Sequence, residues 1–217
     1  MKIIGIDDAG RGPVIGPMIL AGVLAETEDS EILKKWGAKD SKLLLPNKRA
    51  EIAEKIKKNY KYHAEVTYSQ EIDQSTNLNY TEAIKAAKII NELTKDLNEP
   101  VEVILDCPSV NLVAWNNDVL KLLKRTDIIL MRCEHKADFN YPIVSAASII
   151  AKEKREEEVA KIKRDYGIDF GSGYPSDPKT KEFIKENYRN SRYKEIIRYS
   201  WDTVKKLVKG EKQKKLF

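Results

Sequence analysis

Sulfur and imidazole are scarce in this chain: its 217 residues include two cysteines, two histidines and three methionines. Cys107 and Cys133 lie far apart and match no paired metal-ligand spacing, which argues against a zinc ribbon or a disulfide-built scaffold. A reducing, cytoplasmic setting is the default expectation for such cysteine usage. Long apolar runs are missing as well. No stretch approaches the roughly 20 residues that a membrane span needs, so neither an integral membrane protein nor a membrane partner is expected. The N-terminus lacks the charged, then apolar, then small pattern of a secretory signal and opens directly into Lys2-Ile3-Ile4-Gly5-Ile6-Asp7, which reads as a strand. No internal repeat or low-complexity block interrupts the chain, and nothing points to an oligomer, so a monomer is expected.

What the chain has in quantity is charge. Lys and Arg number 39 against 34 Asp and Glu, for a formal net charge of +5. The length suits one large domain, or a domain with a small appendage, with a real core. Abundant Lys and Glu beside few Cys and Met lean towards a thermophilic composition. The distribution says more than the total: between Lys205 and Lys215 there are six lysines and a single acid, Glu211. A basic end of this kind suits a phosphate backbone, and equally a solvated helix end and tail.

Apolar patterning gives an alternation of strands and helices. Lys2 to Ile6 and Met18 to Ala25 read as buried strands, separated by a loop whose three glycines and two prolines exclude a helix. Helices are expected over Glu28 to Lys35, over Pro46 to Asn59 with Pro46 in the first turn, and from about Thr81 to Leu97. Further strands are expected at Tyr60 to Tyr68, Val101 to Leu105 and Asp127 to Cys133, with a helix over Val113 to Lys124 between the last two. A helix from Val144 to about Tyr166 starts apolar and small, so its first half is expected to be buried and its Lys/Glu-rich second half exposed. After a turn-rich connector at Gly171 to Pro178, helices are expected over Lys179 to Tyr188 and Tyr193 to Lys209. This is an α/β core with a helical C-terminal portion. The expected organisation is a core over 1–170, a C-terminal helical portion over 171–210 and a basic tail over 211–217.

Four acids stand apart from the Lys/Glu runs. Asp7 and Asp8 end the first strand, Asp106 ends a central strand, and Asp138 precedes the buried helix. In open α/β sheets the carboxyl ends of strands converge on the ligand crevice, so these four can meet although distant in sequence. Crowded carboxylates repel one another unless cations neutralise them. An all-oxygen ligand set with few histidines suits Mg²⁺ or Mn²⁺ rather than Zn²⁺. Two such ions can activate water and stabilise the leaving oxygen in phosphodiester hydrolysis, with no nucleophilic side chain. Taken singly, each Asp is as well read as a helix cap or turn residue, Asp138 above all.

Together the motifs resemble type 2 ribonuclease H (ribonuclease HII) in its archaeal form. Gly5-Ile6-Asp7-Asp8-Ala9-Gly10-Arg11-Gly12-Pro13 is similar to that family's G-I-D-E-A-G-R-G-P, and Asp40-Ser41-Lys42 followed by Leu43 is similar to its D-S-K-x-L. Asn77-Leu78-Asn79 resembles an N-L-N element, and Glu134-His135-Lys136-Ala137-Asp138, the segment Ser145 to Lys152, and Gly171 to Pro178 resemble three more. The resemblance implies an RNase H-like core with a mixed central sheet flanked by helices. It implies cleavage of the RNA strand of RNA/DNA hybrids and incision 5′ to single ribonucleotides embedded in duplex DNA, leaving 5′-phosphomonoesters. It carries the metal-ligating and catalytic acids over to Asp7, Asp8, Asp106 and Asp138, with Asp8 one methylene shorter than the family's Glu.

The same resemblance gives roles to other residues. Gly10-Arg11-Gly12 would sense the ribose 2′-OH through its backbone, since a loop without side chains lets amides approach a sugar-phosphate and the 2′-OH is what marks RNA. Tyr174 would stack on the deoxyribose that follows the ribonucleotide. Lys42 and Lys152 are candidate phosphate contacts, Ser41, Asn77 and Asn79 are backbone contacts or helix caps, and His135 is a supporting residue of the site. Gln213, Leu216 and Phe217 resemble a truncated sliding-clamp-binding peptide, and the same residues read equally as a basic, disordered end. Two other readings stand beside the nuclease: another RNase H-like enzyme such as a junction resolvase, and a non-catalytic nucleic-acid-binding protein in which Asp8 marks a disabled site.

Overall fold

The computed structural model describes residues 1–37 and 44–207. Ser41 and Lys42, the tail 211–217 and its Gln213, Leu216 and Phe217 lie outside the described residues. Five strands form one mixed sheet: β1 (Lys2–Ala9), β2 (Met18–Glu26), β3 (Lys61–Thr67), β4 (Val101–Asp106) and β5 (Ile129–Glu134), in the order β3-β2-β1-β4-β5. β1 pairs antiparallel with β2 and parallel with β4, and β4 pairs parallel with β5. The helices are α1 (Ser30–Trp36), α2 (Pro46–Asn59), α3 (Ser69–Gln74), α4 (Leu78–Thr94), α5 (Leu112–Leu122), α6 (Ala137–Asn140), α7 (Pro142–Tyr166) and α8 (Pro178–Asn187). Among the described residues no helix is long and apolar enough to cross a membrane.

By its contacts the chain forms two compact units, each assembled from separate stretches, whereas the sequence suggested a single boundary near Gly171. Of the described residues, the first unit holds 1–9, 19–37, 44–65 and 77–154, and the second holds 10–18, 66–76 and 155–207.

In the first unit the sheet separates two layers, and strand alternation decides which residue goes where. Ile4 and Ile6 of β1, with Val101, Val103 and Leu105 of β4, join Ala83, Ala86, Ile89, Ile90 and Leu93 of α4 in one buried cluster. The other face of β1 carries Gly5, and there the helix comes so near that a Cβ would lie 2.4 Å from the Ile143 carbonyl carbon. Glycine is what allows this contact between α7 and the strand. The first ten residues of α7 are buried, as its apolar start predicts, and exposed positions begin in the Lys/Glu-rich half.

The second unit is built on Val14, Ile15, Phe170, Ile184, Tyr193, Ile196, Ile197 and Val204. One expected helix fails here. Ser191–Tyr193 forms only a 3-10 turn, Ile197 makes an antiparallel bridge with Ile15, and helix returns only over residues 202–207. The Arg198 amide donates to the Val14 carbonyl at 2.9 Å, so tertiary pairing replaces the helical bonds that local propensity favoured.

Candidate active site

The site in the first unit follows from sheet register. Ile6 faces Leu105 across the parallel β1–β4 pair, so the next step along both strands sets Asp7 beside Asp106. Both acids alternate away from the α4 cluster, onto the face that α7 covers. The third acid comes from a sharp reversal after β5. Lys136 is the one non-glycine residue with positive φ among those described (58°), and it starts α6 with Asp138 in the first turn. Oxygen atoms of Asp7, Asp106 and Asp138 all lie within 4.8 Å of one another. Asp7 and Asp138 are 5% and 4% exposed, so the cluster is largely shut from water.

Backbone hydrogen bonds orient two of its acids. The Asp8 amide donates to Asp7 Oδ1 at 2.8 Å, and the Ala137 amide donates to Asp106 Oδ1 at 3.3 Å. Burial pushes the Asp7 carboxyl well above the usual carboxylate range, the Asp8 and Asp106 charges push it further, and the Ser148 hydroxyl and Asp8 amide oppose the rise. Carboxylates crowded and desolvated in this way repel one another, and a cation would relieve them. The donor set, three carboxylates without sulfur or imidazole, fits a hard divalent ion such as Mg²⁺ or Mn²⁺.

Asp8 is not one of the three acids whose oxygens gather within 4.8 Å. Its charge still reaches Asp7. His135 is exposed, with Nδ1 3.3 Å from the Cys107 carbonyl oxygen. Asn77 is a helix cap: its side chain accepts from the Tyr80 amide at the start of α4. Asn79 lends its carbonyl to the Trp115 indole at 2.8 Å, and Lys152 is half-buried on α7.

The second unit brings together the other motif residues. Gly10 has φ +87°, and a Cβ there would meet Arg155 Cδ at 2.5 Å, so only glycine suits the position. A Cβ on the exposed Gly12 would sit 3.7 Å from the Tyr174 ring, which is 42% exposed. Arg155 stacks on that ring at 5.3 Å, and burial lowers its pKa. Arg198 is fully buried and donates to the carbonyls of Gly10, Arg11 and Gly16 at 2.8, 3.1 and 2.9 Å. Neither arginine belongs to the motifs that stand out in the sequence. Arg155 is hidden in a Lys/Glu run, but Arg198 follows Ile196-Ile197, and a charge directly after an apolar pair was a usable signal.

The sequence profile described as Ribonuclease HII matches residues 4–204. The chain belongs to the ribonuclease HII family. A ribonuclease HII of Methanocaldococcus jannaschii is 41% identical, over 100% of this chain and 99% of that one. Among solved structures, the ribonuclease H2 of Pyrococcus horikoshii OT3 is 36% identical with a TM-score of 0.85, covering 98% of this chain and 100% of that one. The PCNA:RNase HII complex of Archaeoglobus fulgidus gives 36% identity and a TM-score of 0.81, covering 93% and 95% of the two chains. The fold is accordingly that of ribonuclease HII, an RNase H-like mixed sheet flanked by helices, and the protein is an enzyme of the type 2 ribonuclease H class.

Proposed function

We propose that this ribonuclease HII is a divalent-metal-dependent endonuclease that hydrolyses the RNA strand of RNA/DNA hybrids and incises 5′ to single ribonucleotides in duplex DNA. The observation that carries the reading is the convergence of Asp7, Asp106 and Asp138 within 4.8 Å at the carboxyl end of parallel strands. These acids would hold the metal, with Asp8 supporting them through its charge. Bound Mg²⁺ or Mn²⁺ would supply an activated water and charge stabilisation at the leaving oxygen. The protein's own part is to keep three carboxylates fixed on a rigid sheet and helix, ready for a cation before substrate arrives. The Asp8 amide, which donates to Asp7 Oδ1 at 2.8 Å, favours the ionised form of Asp7, the form that binds metal.

Specificity falls to the loop that β1 enters directly after Asp8. Gly10-Arg11-Gly12 offers backbone to a ribose, and the exposed Tyr174 ring beside Gly12 offers an apolar face to the next sugar. Lys42 and Lys152 would contact phosphates. We extend the reading to a sliding clamp bound through Gln213, Leu216 and Phe217, supported by the Archaeoglobus fulgidus complex; loss of clamp binding on deleting residues 211–217 tests it. The place of action would be the cytoplasm.

The test is a DNA duplex carrying one ribonucleotide, incubated with Mg²⁺ or Mn²⁺. Clean incision 5′ to the ribonucleotide is expected. No cleavage would defeat the proposal, and cutting of branched junctions without any ribose dependence would transfer the protein to the resolvase class.

A further inference from the structure

We propose that Arg198 is the positioning residue that gives the Gly10-Arg11-Gly12 loop its ability to tell ribose from deoxyribose. The inference rests on the reading of that loop as the ribose sensor and adds the element that shapes it.

The guanidinium of Arg198 is wholly buried and uses all three of its nitrogens on one loop. Nη2 donates to the Gly10 carbonyl at 2.8 Å, Nη1 to the Arg11 carbonyl at 3.1 Å and Nε to the Gly16 carbonyl at 2.9 Å. The first two acceptors begin the loop and the third lies near its end, so a single planar group ties both limbs. Its own backbone is fixed to the same loop: the Arg198 amide donates to Val14, and Ile197 bridges to Ile15. On a further side the Trp201 ring lies 5.3 Å from the guanidinium carbon.

Peptide geometry turns this anchor into a statement about recognition. In a trans peptide the carbonyl and the following amide point in opposite directions. No cis peptide occurs among the described residues. The Gly10 carbonyl shares its peptide plane with the Arg11 amide, and the Arg11 carbonyl shares its plane with the Gly12 amide. When both carbonyls turn inward to Arg198, the Arg11 and Gly12 N–H groups must turn away from it. Gly12 is exposed, and no Cβ stands over its amide. Two consecutive outward donors form a small concave donor site for an oxygen, matching a hydroxyl or a phosphate oxygen next to it.

The chemistry requires arginine. Three carbonyls spread around a plane match a rigid fork of donors, whereas an ammonium concentrates its donors on one atom at the end of a flexible stem. A lysine at this position would keep the charge but release at least one carbonyl, letting the Gly10–Arg11 or Arg11–Gly12 peptide rotate.

The experiment compares wild type with Arg198→Lys, using one DNA duplex with and without a single ribonucleotide, in Ca²⁺ to follow binding and in Mg²⁺ to follow cleavage. The expected result is that Arg198→Lys reduces the affinity ratio for the ribo over the deoxy duplex by about tenfold, the worth of one well-made hydrogen bond. Affinity for the deoxy duplex falls less than affinity for the ribo duplex, and KM for the ribonucleotide substrate rises more than kcat falls. An unchanged ribo-to-deoxy ratio in a folded Arg198→Lys protein overturns the inference. Wild-type protein that fails to discriminate at all refutes the ribose-sensor reading instead, which keeps the two failures apart. If Arg198→Lys does not fold, Arg198→Gln takes its place under the same readout, and an unchanged ribo-to-deoxy ratio in that variant overturns the inference.

Discussion

Replacing Asp7 with Asn should make the metal-free protein more stable and the metal-loaded protein less so than wild type. Asp7 is 5% exposed and has oxygens of Asp106 and Asp138 within 4.8 Å. At an effective dielectric of about 20, each such pair of charges repels by about 3 kcal/mol. Protonation limits the damage at a cost of about 1.4 kcal/mol for each pH unit by which the ambient pH exceeds the unfolded pKa. Asn keeps the Oδ1 that accepts from the Asp8 amide and gains an NH₂ that can donate to the two remaining acids. A gain of about 2 kcal/mol at neutral pH is the reasonable scale, or about 5 °C in Tm for a chain of this size. Adding Mg²⁺ or Mn²⁺ at ~100 times its Kd should raise the wild type by about 2.7 kcal/mol and the ligand-depleted variant by much less, which reverses the order.

The pH dependence has a fixed sign. A carboxyl whose folded pKa is raised contributes stability that is fully present below its unfolded pKa, about 3.9, and lost as pH rises through the folded value. Burial first, and then the Asp8 and Asp106 charges, raise Asp7. The advantage of Asp7→Asn should therefore shrink steadily as pH is lowered towards ~4. Thermal unfolding in EDTA and in Mg²⁺, across pH, measures all of this. A variant less stable than wild type in EDTA, or one raised equally by metal, would show that the three acids are not poised for a cation.

Three further outcomes are expected. Tyr174→Ala should slow incision at a single ribonucleotide more than cleavage of a continuous hybrid, because only the former needs the ring at an RNA-to-DNA junction; equal losses in parallel rate measurements contradict this. Asp8→Asn should lower the rate and weaken metal dependence, since the Asp8 charge reaches Asp7; titration of activity with Mn²⁺ checks it, and an unchanged curve removes Asp8 from the metal site. Gly5→Ala should destabilise by about 3 kcal/mol, seen as a Tm lower by about 10 °C, because its Cβ would fall 2.4 Å from the Ile143 backbone and neither partner is a flexible side chain.

Strand positions were readable because short apolar runs bounded by turn residues have few other uses, and Val101 to Leu105 ahead of Asp106-Cys107-Pro108 is such a run. The α7 burial gradient was readable for the same reason, from its small apolar start. Residues 194–200 were not readable. Their local pattern favours helix, and the bridge to Ile15 and the demands of Arg198, long-range facts both, break it into turns on either side of Ile197. The role of Arg198 depends on carbonyls 182 to 188 residues away, which no local window contains.

The two buried charge arrangements differ in a way that separates binding groups from scaffolding. Asp7 is held at a disadvantage, desolvated and beside like charges, so the first unit stores an electrostatic deficit that a cation can relieve. Arg198 is equally buried, yet its three nitrogens meet three carbonyls at 2.8–3.1 Å. A guanidinium matched in this way gains little from a ligand and loses much by deletion, since orphaned buried carbonyls cost about 1–3 kcal/mol each. Neutralising Asp7 should therefore stabilise the metal-free fold and abolish cleavage, whereas truncating Arg198 should destabilise it. Opposite signs of stability change at two buried ionic residues distinguish a site made to receive a charge from one made to hold a shape.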